Sequence, residues 1–362
     1  MSSQSLTKEA VLEALRVVED PDVHRSIVEM EMVKTIDIVD GNVFVEVNLT
    51  IQGCPLRTRI EKDVRNAVMT VEGVKQVDVV IGTMTDEERQ RFAAKLRGKD
   101  EPTKTSPLLA PDTSTQFVAV ASGKGGVGKS TVTANLAVAL ADLGYRVGVI
   151  DADIYGFSQP NIFGVAGVKP AVVENLIMPV QTNGIKLVSM HFFVPDNRPV
   201  IWRGPMLGKM LRNFFQEVHW ADIDVMLLDL PPGTGDIALD VHQMLPKSKE
   251  LIVTTPQETA ADVAVRAGLM ALQTNHEILG VIENMAFFQC GHCAERTYLF
   301  GAGGGERVAE ELQTRLIAQI PIGTSAEGTE GLFAKDSIQG EAFAILAHEM
   351  AAALGLREVV HN

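Results

Sequence analysis

A glycine-rich loop between a predicted strand and a predicted helix constrains the fold of this chain more than any other part of the sequence. The apolar residues Phe117 to Ala121 predict a buried strand, and residues Thr131 to Leu143 predict a helix. Residues 123–130 between them, Gly-Lys-Gly-Gly-Val-Gly-Lys-Ser, fit the pattern G-x-x-x-x-G-K-S/T. A preceding strand and a following helix are the context in which this pattern binds phosphate. The sequence therefore predicts a phosphate site on this loop.

Each part of the loop has a physical role in binding a nucleotide. Glycine adopts backbone conformations that are closed to other residues, so successive N–H groups can converge on a phosphate. The new helix adds the unpaired N–H groups and the positive dipole of its N-terminus. Lys129 supplies a charge for the β- and γ-phosphates, and the Ser130 hydroxyl supplies a ligand for Mg²⁺. The predicted nucleotide-binding residues of this segment are Gly123, Gly125, Gly126, Val127, Gly128, Lys129, Ser130 and Thr131.

From Gln116 onward, predicted strands alternate with predicted helices. This alternation is typical of an α/β domain in which a parallel sheet is covered by helices on both faces. Ligands of such sheets bind beyond the carboxyl ends of the strands, where the motifs described here also lie. The predicted strands after the loop are Arg146–Ile150, Ile185–Ser189, Asp224–Leu228, Leu251–Thr255, Leu279–Glu283 and Leu316–Ile320.

The residues before this domain predict a smaller α+β domain. Helical spacing predicts a helix over 7–19 with Thr7 as its N-cap, and Asp40-Gly41-Asn42 predicts a hairpin between two strands, Val33–Val39 and Val43–Thr50. A helix beginning at Pro55 and a strand over Val74–Ile81 complete the pattern. The predicted bounds are 1–97 for the small domain, 98–115 for a proline-containing linker and 116–362 for the domain with the phosphate loop.

The charge and composition of the 362-residue chain argue against several classes of function. A formal net charge of −14 disfavours non-specific nucleic-acid binding and polybasic contact with a membrane. The first ten residues contain no apolar signal core, and no stretch reaches the roughly 18 uninterrupted apolar residues of a membrane helix. Three cysteines do not make a disulfide framework. We therefore expect a cytoplasmic protein that binds neither nucleic acid nor membrane.

Aspartates follow two of the predicted strands. Asp229 ends an apolar strand, the position of a Walker-B carboxylate, and is predicted to hold a Mg²⁺-bound water while Ser130 is the direct ligand. Gly233, in the Pro-Pro-Gly-Thr-Gly segment that comes next, permits a peptide flip towards a γ-phosphate. Asp151 and Asp153 follow another strand. Either carboxylate could orient the attacking water, or it could contact the ligands of Mg²⁺.

Cys290 and Cys293 form a Cys-x-x-Cys motif, a spacing that lets two thiolates bind one metal centre. A thioredoxin-like redox pair is disfavoured because the motif lies in a loop of the phosphate-binding domain. Zinc and iron–sulfur sites both need four ligands, and one motif supplies two cysteines, so a two-fold dimer would supply four. The third cysteine, Cys54, begins a predicted helix and is either a stabilised thiolate or a small buried residue.

The loop resembles the deviant P-loop of the MinD/ParA/nitrogenase iron-protein class of ATPases, because a second lysine, Lys124, follows its first glycine. The resemblance implies that Lys124 reaches across a two-fold axis to the nucleotide of a partner copy, so that ATP closes a dimer. It also implies that Asp153 positions the attacking water and that Asn284 contacts adenine. Lys124, Lys129 and Asp153 are therefore the predicted catalytic residues.

A second set of motifs resembles the Mrp/ApbC family of iron–sulfur cluster carriers. The resemblance implies a homodimer that uses ATP and Mg²⁺, hydrolyses ATP weakly, binds a 4Fe–4S cluster between paired Cys290 and Cys293, and transfers it to apo-proteins. The first 95 residues or so resemble the small iron–sulfur assembly domain that often precedes such an ATPase. The other matching motifs are Trp202-Arg203-Gly204-Pro205-Met206, the segment from Asp229 to Asp236, Ile282-Glu283-Asn284-Met285 and the segment from Phe300 to Gly305.

Two other functions fit parts of the sequence. A positioning ATPase of the ParA/MinD kind would grip DNA or a membrane through a basic patch or an amphipathic C-terminal helix. The tail Ala342–Leu356 is apolar and alanine-rich and lacks a basic face. An electron-transferring reductase similar to the nitrogenase iron protein would instead need a redox partner.

Overall fold

The structure is a computed structural model that describes residues 6–20, 25–49, 57–85, 87–88, 91–92, 95, 106–110, 112–153, 156–173, 176–193 and 204–357. These residues form two compact units. The smaller unit lies within 1–104, 170–179 and 217–221, and the larger unit lies within 105–169, 180–216 and 222–362. Outside the described residues lie Cys54, Pro55, Trp202, Arg203 and, from the predicted linker, residues 98–105 and 111.

The strands and helices are numbered in chain order. The strands are β1 (Glu19–Asp20), β2 (Arg25–Ser26), β3 (Val33–Val39), β4 (Asn42–Leu49), β5 (Gln76–Thr83), β6 (Gln116–Ser122), β7 (Val147–Asp151), β8 (Val172–Val173), β9 (Leu176–Ile177), β10 (Val180–Thr182), β11 (Ile185–Ser189), β12 (Val225–Asp229), β13 (Lys249–Thr254), β14 (Glu277–Gln289), β15 (Arg296–Thr297) and β16 (Leu316–Ile322). The α-helices are α1 (Lys8–Ala14), α2 (Arg57–Met69), α3 (Lys129–Asp142), α4 (Gln159–Ile162), α5 (Gly204–Gln216), α6 (Asp236–Met244), α7 (Glu258–Gln273), α8 (Gly304–Glu311) and α9 (Ile338–Ala353).

The smaller unit is built on a three-stranded sheet of order β3-β4-β5. β3 and β4 are antiparallel, whereas β4 and β5 are parallel and are connected through α2. Alternate residues of β4, Val43, Val45 and Val47, are buried because successive side chains of a strand point to opposite faces. The Thr7 hydroxyl accepts a hydrogen bond from the backbone N–H of Ala10 at 3.2 Å, which confirms the predicted N-cap of α1.

Residues 170–179 also belong to the smaller unit. They form the antiparallel pair β8 and β9. Val173 and Met178 are buried in the same hydrophobic cluster as the valines of β4. The core of the smaller unit is therefore completed by residues that come after the phosphate loop in the chain.

The larger unit contains a mostly parallel sheet of order β10-β11-β7-β12-β6-β13-β14, and both β15 and β16 pair with β14. β10 and β15 are antiparallel to their neighbours, and the other pairings are parallel. The predicted strand Ile185–Ser189 is found with the same bounds. The predicted end of Leu279–Glu283 is wrong, because β14 continues to Gln289, where its last residues pair with β15.

Helices cover both faces of this sheet, as predicted from the alternating pattern. Val118 and Val120 of β6 share a buried cluster with Leu136 of α3 and Leu346 of α9. Phe117 points to the other face and makes an edge contact with a phenylalanine of α5, with ring centroids 6.1 Å apart. Each buried side chain of this size contributes about 1.5–3 kcal/mol of hydrophobic stabilisation. In the described part of the chain, the helices are too short or too polar to cross a bilayer.

A network of buried polar side chains connects the ends of helices to the starts of strands at the amino edge of this sheet. Glu250, near the start of β13, hydrogen-bonds to Nε2 of His242, and both side chains are 1% exposed. His242 Nδ1 lies 2.8 Å from the Thr274 hydroxyl, which lies 3.1 Å from Nδ1 of His276. Nε2 of His276 donates to the Leu245 carbonyl at 3.2 Å. This network links α6, the end of α7, β13 and the start of β14, and it lies away from the carboxyl edge of the sheet.

We expect Glu250→Ala to lower the free energy of unfolding by about 1–3 kcal/mol, because the variant leaves the buried imidazole of His242 without its hydrogen-bond partner. The matched control is Glu277→Ala, whose carboxylate pairs with Lys249 at 3.1 Å but is 62% exposed. We expect that control to cost at most about 1 kcal/mol. Urea unfolding followed by far-UV circular dichroism measures both variants. Equal losses would contradict a structural role for the buried pair.

Candidate functional site

The glycine-rich loop connects β6 to α3, and two close contacts require its first and last glycines. Gly128 precedes α3 with a φ of 82°, and a Cβ there would lie 2.1 Å from Nδ2 of Asn284. A Cβ on Gly123 would lie 2.1 Å from the carbonyl carbon of Val263. Since a Cβ essentially never lies within 3.0 Å of a non-bonded heavy atom, any other residue at either position would force its neighbour to move.

A cavity of about 390 Å³ opens over the loop. This volume is sufficient for a small ligand. The N–H groups of the loop and of the first turn of α3 are donors suited to an anion. Asp153, Asn161 and Glu330 lie on its walls. Of the predicted nucleotide-binding residues, Gly125, Gly126, Val127, Gly128, Lys129, Ser130 and Thr131 line the cavity, whereas Gly123 and Asn284 do not.

Lys129 and Asp229 form a buried ion pair beside this cavity. Gln159 donates from Nε2 to Oδ2 of Asp229 at 2.8 Å, and the same amide donates to the Ser130 carbonyl at 3.0 Å. The Thr133 hydroxyl lies 3.4 Å from Oδ1 of Asp229. Both carboxylate oxygens of Asp229 are therefore bound by donors of the same chain.

The two aspartates that follow β7 differ in burial. Asp151 is fully buried and accepts a hydrogen bond from the Ser189 hydroxyl at 3.0 Å. Its burial and the nearby charge of Asp229 raise the pKa of Asp151 to about 8. Asp153 lines the cavity and accepts a hydrogen bond from the backbone N–H of Gly156 at 3.1 Å. This geometry favours Asp153 as the carboxylate that can orient a water molecule.

Lys124, the other lysine of the loop, lies close to the N-terminus of α7. Its ammonium is 3.5 Å from Oε1 of Gln257 and 3.4 Å from the Thr259 hydroxyl. It also lines a second cavity of about 270 Å³, together with residues of the loop, Met285 and Phe300. Within one chain the two lysines therefore have different partners. Lys129 pairs with the carboxylate at the end of β12, whereas Lys124 contacts residues at the start of α7.

Asn284 lies in β14 and packs against the loop. Its Nδ2 donates to the carbonyl of Val127 at 2.9 Å, and its side chain is buried. The next residue, Met285, has a φ of 56°, a backbone conformation that is uncommon for residues other than glycine. Asn284 thus supports the loop from within the sheet. Its contact with adenine stays a prediction.

Cys290 and Cys293 lie in the turn between β14 and β15, within residues 286–303, which we call the cysteine hairpin. The backbone N–H of Cys290 donates to the Glu295 carbonyl at 2.9 Å. The backbone N–H groups of Cys293 and His292 donate to the Cys290 sulfur and lower the pKa of that thiol. The turn therefore stabilises a thiolate, the form of cysteine that binds metal.

The cysteine hairpin exposes sulfur and apolar side chains together. Cys293 is exposed and Cys290 is half-buried. Tyr298, Leu299 and Phe300 expose 51%, 57% and 40% of their surface. Grouped apolar side chains on a protein surface commonly mark a site of interaction with another molecule.

Two buried polar residues of the site escaped the sequence analysis. Gln159 joins Ser130 to Asp229, and no motif marks it. Glu283 stabilises α8, because its Oε1 accepts the N–H of Gly305 at 2.8 Å. A carboxylate thus occupies this helix N-terminus, where the glycine-rich sequence would otherwise favour a phosphate. The position of Glu283 beside Asn284 in the Ile-Glu-Asn-Met motif is the signal that could have identified it.

The residues at the cavity fit a magnesium-bound nucleotide. The Ser130 hydroxyl and the Asp229 carboxylate are hard oxygen ligands of the kind Mg²⁺ prefers, and Gln159 holds the two residues together. Oδ1 of Asp151 is buried without a hydrogen-bond partner, which leaves a polar atom that a bound water could satisfy.

The cysteine hairpin presents an incomplete set of soft ligands. Iron–sulfur clusters are usually held by four cysteine thiolates, and the hairpin has two. Among the described residues, no group of three or more histidine, cysteine, aspartate or glutamate side chains is placed to hold a metal ion. Within the part of the chain that the structure describes, the hairpin therefore offers two of the four thiolates that such a cluster takes.

Comparison with known proteins identifies relatives of both parts of the chain. A family described as NUBPL iron-transfer P-loop NTPase matches residues 113–351, and one described as iron–sulfur cluster assembly protein matches residues 8–79. The iron–sulfur cluster carrier protein of Bacillus subtilis (strain 168) is 55% identical over 242 residues, covering 67% of this chain and 68% of the relative. The protein of the same name from Synechocystis sp. is 38% identical over 366 residues, covering 98% and 100%.

Solved structures agree with the fold of the larger unit. A nucleotide-binding protein from Archaeoglobus fulgidus in complex with ADP is similar with a TM-score of 0.52 and 38% identity, covering 68% of this chain and 94% of that one. MinD from Pyrococcus horikoshii, complexed with Mg-ADP, has a TM-score of 0.50 and 26% identity, covering 67% and 98%. The family match and the two relatives confirm the resemblance to iron–sulfur cluster carriers. Since the family match extends over most of its length, the chain belongs to the NUBPL iron-transfer P-loop NTPases, together with proteins named iron–sulfur cluster carriers.

Proposed function

We propose that this protein is an ATP-dependent iron–sulfur cluster carrier that acts as a homodimer in the cytoplasm. Each subunit binds Mg–ATP on the glycine-rich loop and hydrolyses it slowly. Two subunits together hold a 4Fe–4S cluster between paired Cys290 and Cys293 and transfer it to apo iron–sulfur proteins. The observation that carries the proposal is the exposed cysteine hairpin, which presents two thiols in the same unit as the phosphate site.

Nucleotide binding involves a change of partner for Lys129. The phosphates of ATP carry more negative charge than the Asp229 carboxylate, so they draw the ammonium from Asp229 to the β- and γ-phosphates. Gln159 remains as a donor to Asp229 after this change. Ser130 and, through water, Asp229 would hold Mg²⁺, which would neutralise charge on the phosphates.

Hydrolysis needs a water molecule placed against the γ-phosphate. Asp153 lines the cavity and accepts a hydrogen bond from that water, which orients its lone pair. The segment after β12 is held near the loop, since the N–H of Gly233 donates to the Ser122 carbonyl at 2.8 Å. Lys124 leaves Gln257 and Thr259 when it acts on the nucleotide of the second copy.

The cluster is the cargo of the carrier. Two-fold symmetry turns two thiolates per subunit into four, the number a cubane cluster takes from protein. The second copy would also cover the apolar side chains of the cysteine hairpin, Tyr298, Leu299 and Phe300. Because the cysteines lie at the tip of a hairpin, an acceptor protein can approach the cluster and exchange its own thiolates for those of the carrier.

Cys290→Ala should abolish 4Fe–4S assembly, because each subunit then offers a single thiolate and the dimer offers two of the four that the cluster needs. The measurement is iron and sulfide per dimer, with the visible absorption of the cluster, after anaerobic reconstitution. The matched control, Cys54→Ala, also removes one thiol but should retain the iron content of the parent. A Cys290→Ala variant that holds as much iron as the parent would refute the assignment.

Lys129→Ala should reduce ATP turnover by at least about tenfold, because it removes the cation that stabilises the β- and γ-phosphates in the transition state. It should reduce cluster transfer in cells as well. Lys335→Ala is the matched control, since that lysine pairs with Asp142 on the surface at 2.7 Å. The measurement is phosphate release by the purified proteins, and undiminished turnover in Lys129→Ala would contradict the role of the loop.

A further inference from the structure

One strand joins the phosphate loop to the cysteine hairpin. β14 contacts the loop through Asn284, whose amide donates to the Val127 carbonyl, and Cys290 comes directly after its last residue. At about 3.3 Å per residue, the strand between Asn284 and Cys290 spans at most about 20 Å. The two sites that the proposed function needs are therefore connected by a short continuous segment of backbone.

The contact at the loop leaves little room for independent movement. A Cβ on Gly128 would lie 2.1 Å from Nδ2 of Asn284 and 3.7 Å from the methyl carbon of Met285. Asn284 is buried, so it cannot turn into solvent. Because packed interiors transmit displacement, a shift of the loop backbone upon phosphate binding either moves Asn284 or breaks its hydrogen bond to Val127.

Just beyond this contact the strand has an irregularity. Met285 has a φ of 56°. The register between β14 and β16 shifts between Asn284, opposite Ile320, and Phe288, opposite Ile322. Three residues of β14 thus stand against one of β16, and such bulges bend a strand and change the direction of its next residues. The backbone at Met285 is therefore a bend between the loop contact and the cysteines.

Beyond the bend, side chains hold the cysteine hairpin together. The guanidinium of Arg296 lies 4.3 Å from the ring centroid of Phe287, and Tyr298 makes an edge contact with the same ring at 6.2 Å. On the side towards the loop, a cavity of about 270 Å³ separates Met285 and Phe300 from the backbone of Gly125 and Gly126. The hairpin is thus tied internally and has space to shift relative to the loop.

We propose that Asn284 and Met285 form a joint through which phosphate binding on the loop changes the position or the stability of the cysteine hairpin. Asn284 senses the loop through Val127 and Gly128, and the bend at Met285 converts that displacement into movement of the strand end. Met285 is a positioning residue and does not touch the cluster. This inference rests on the proposed function, because the joint would regulate the cluster site proposed there. The coupling between the loop and the hairpin does not itself require a cluster.

Hydrogen exchange of the metal-free, full-length protein tests the joint. Exchange is followed by mass spectrometry with and without saturating Mg–ADP or a non-hydrolysable ATP analogue. Peptides of the glycine-rich loop report that nucleotide is bound, and peptides within 286–303 report the response of the hairpin. We expect nucleotide to change exchange in the hairpin by at least about fivefold, the lower end of ordinary coupling between two sites.

Met285→Gly should remove most of that hairpin response while the loop peptides stay protected, because glycine makes the bend compliant. The matched control is Asn275→Gly, which makes the same kind of change at a residue with a φ of 60° just before β14 and should keep the full response. Each variant is measured at its own saturating nucleotide concentration. Thermal unfolding within a few degrees of the parent verifies that both variants fold.

Repeating the measurement at protein concentrations about tenfold apart separates the joint from dimer formation, because protection by a second copy follows mass action. A response within one chain is independent of concentration. The inference is overturned if loop protection occurs with no hairpin response, if Met285→Gly responds as the parent does, or if the hairpin response disappears at the lowest protein concentration, where a dimer dissociates. None of these outcomes affects iron binding, whose failure would refute the proposed function instead.

Discussion

The buried ion pair between Lys129 and Asp229 is the interaction on which the architecture of the nucleotide site depends. It joins the first residue of α3 to the last residue of β12. A buried pair of charges is tolerated only when the remaining hydrogen-bonding positions are also satisfied, and Gln159 donates to the second carboxylate oxygen of Asp229. Because Gln159 begins α4 and also binds Ser130, three separate segments of the chain are held in one hydrogen-bonded network.

The phosphate site and the cysteine hairpin differ in chemistry and in surroundings. The first combines hard oxygen ligands with buried charges, which suits Mg²⁺ and phosphate. The second offers soft sulfur ligands on an exposed turn whose own N–H groups stabilise one thiolate. Strong internal bonding favours a fixed geometry for transition-state stabilisation, whereas exposure favours exchange of cargo. The carrier function proposed above needs both properties, and β14 brings them into one sheet.

Local patterns in the sequence were sufficient to predict the loop, the parallel sheet and the cysteine motif. The loop residues are contiguous in the chain, and the strand Ile185–Ser189 is a short apolar run, so neither depends on distant contacts. The end of β14 was not predictable in the same way, because its last residues come after a left-handed Met285 and are stabilised by pairing with β15. Gln159 escaped notice for a related reason: its partners are distant in sequence. The difference between Asp151 and Asp153 arises from burial, which spacing alone does not reveal.

The composition of the smaller unit has a practical consequence for work on isolated fragments. Val173 and Met178 are buried among residues of the N-terminal part of the chain, although both come after the glycine-rich loop in sequence. A truncated protein starting at residue 116 would retain these two side chains without the neighbours that cover them. Water would then contact apolar surface that the intact polypeptide hides, so poor solubility of such a truncation would reflect the loss of the hydrophobic core around these two side chains.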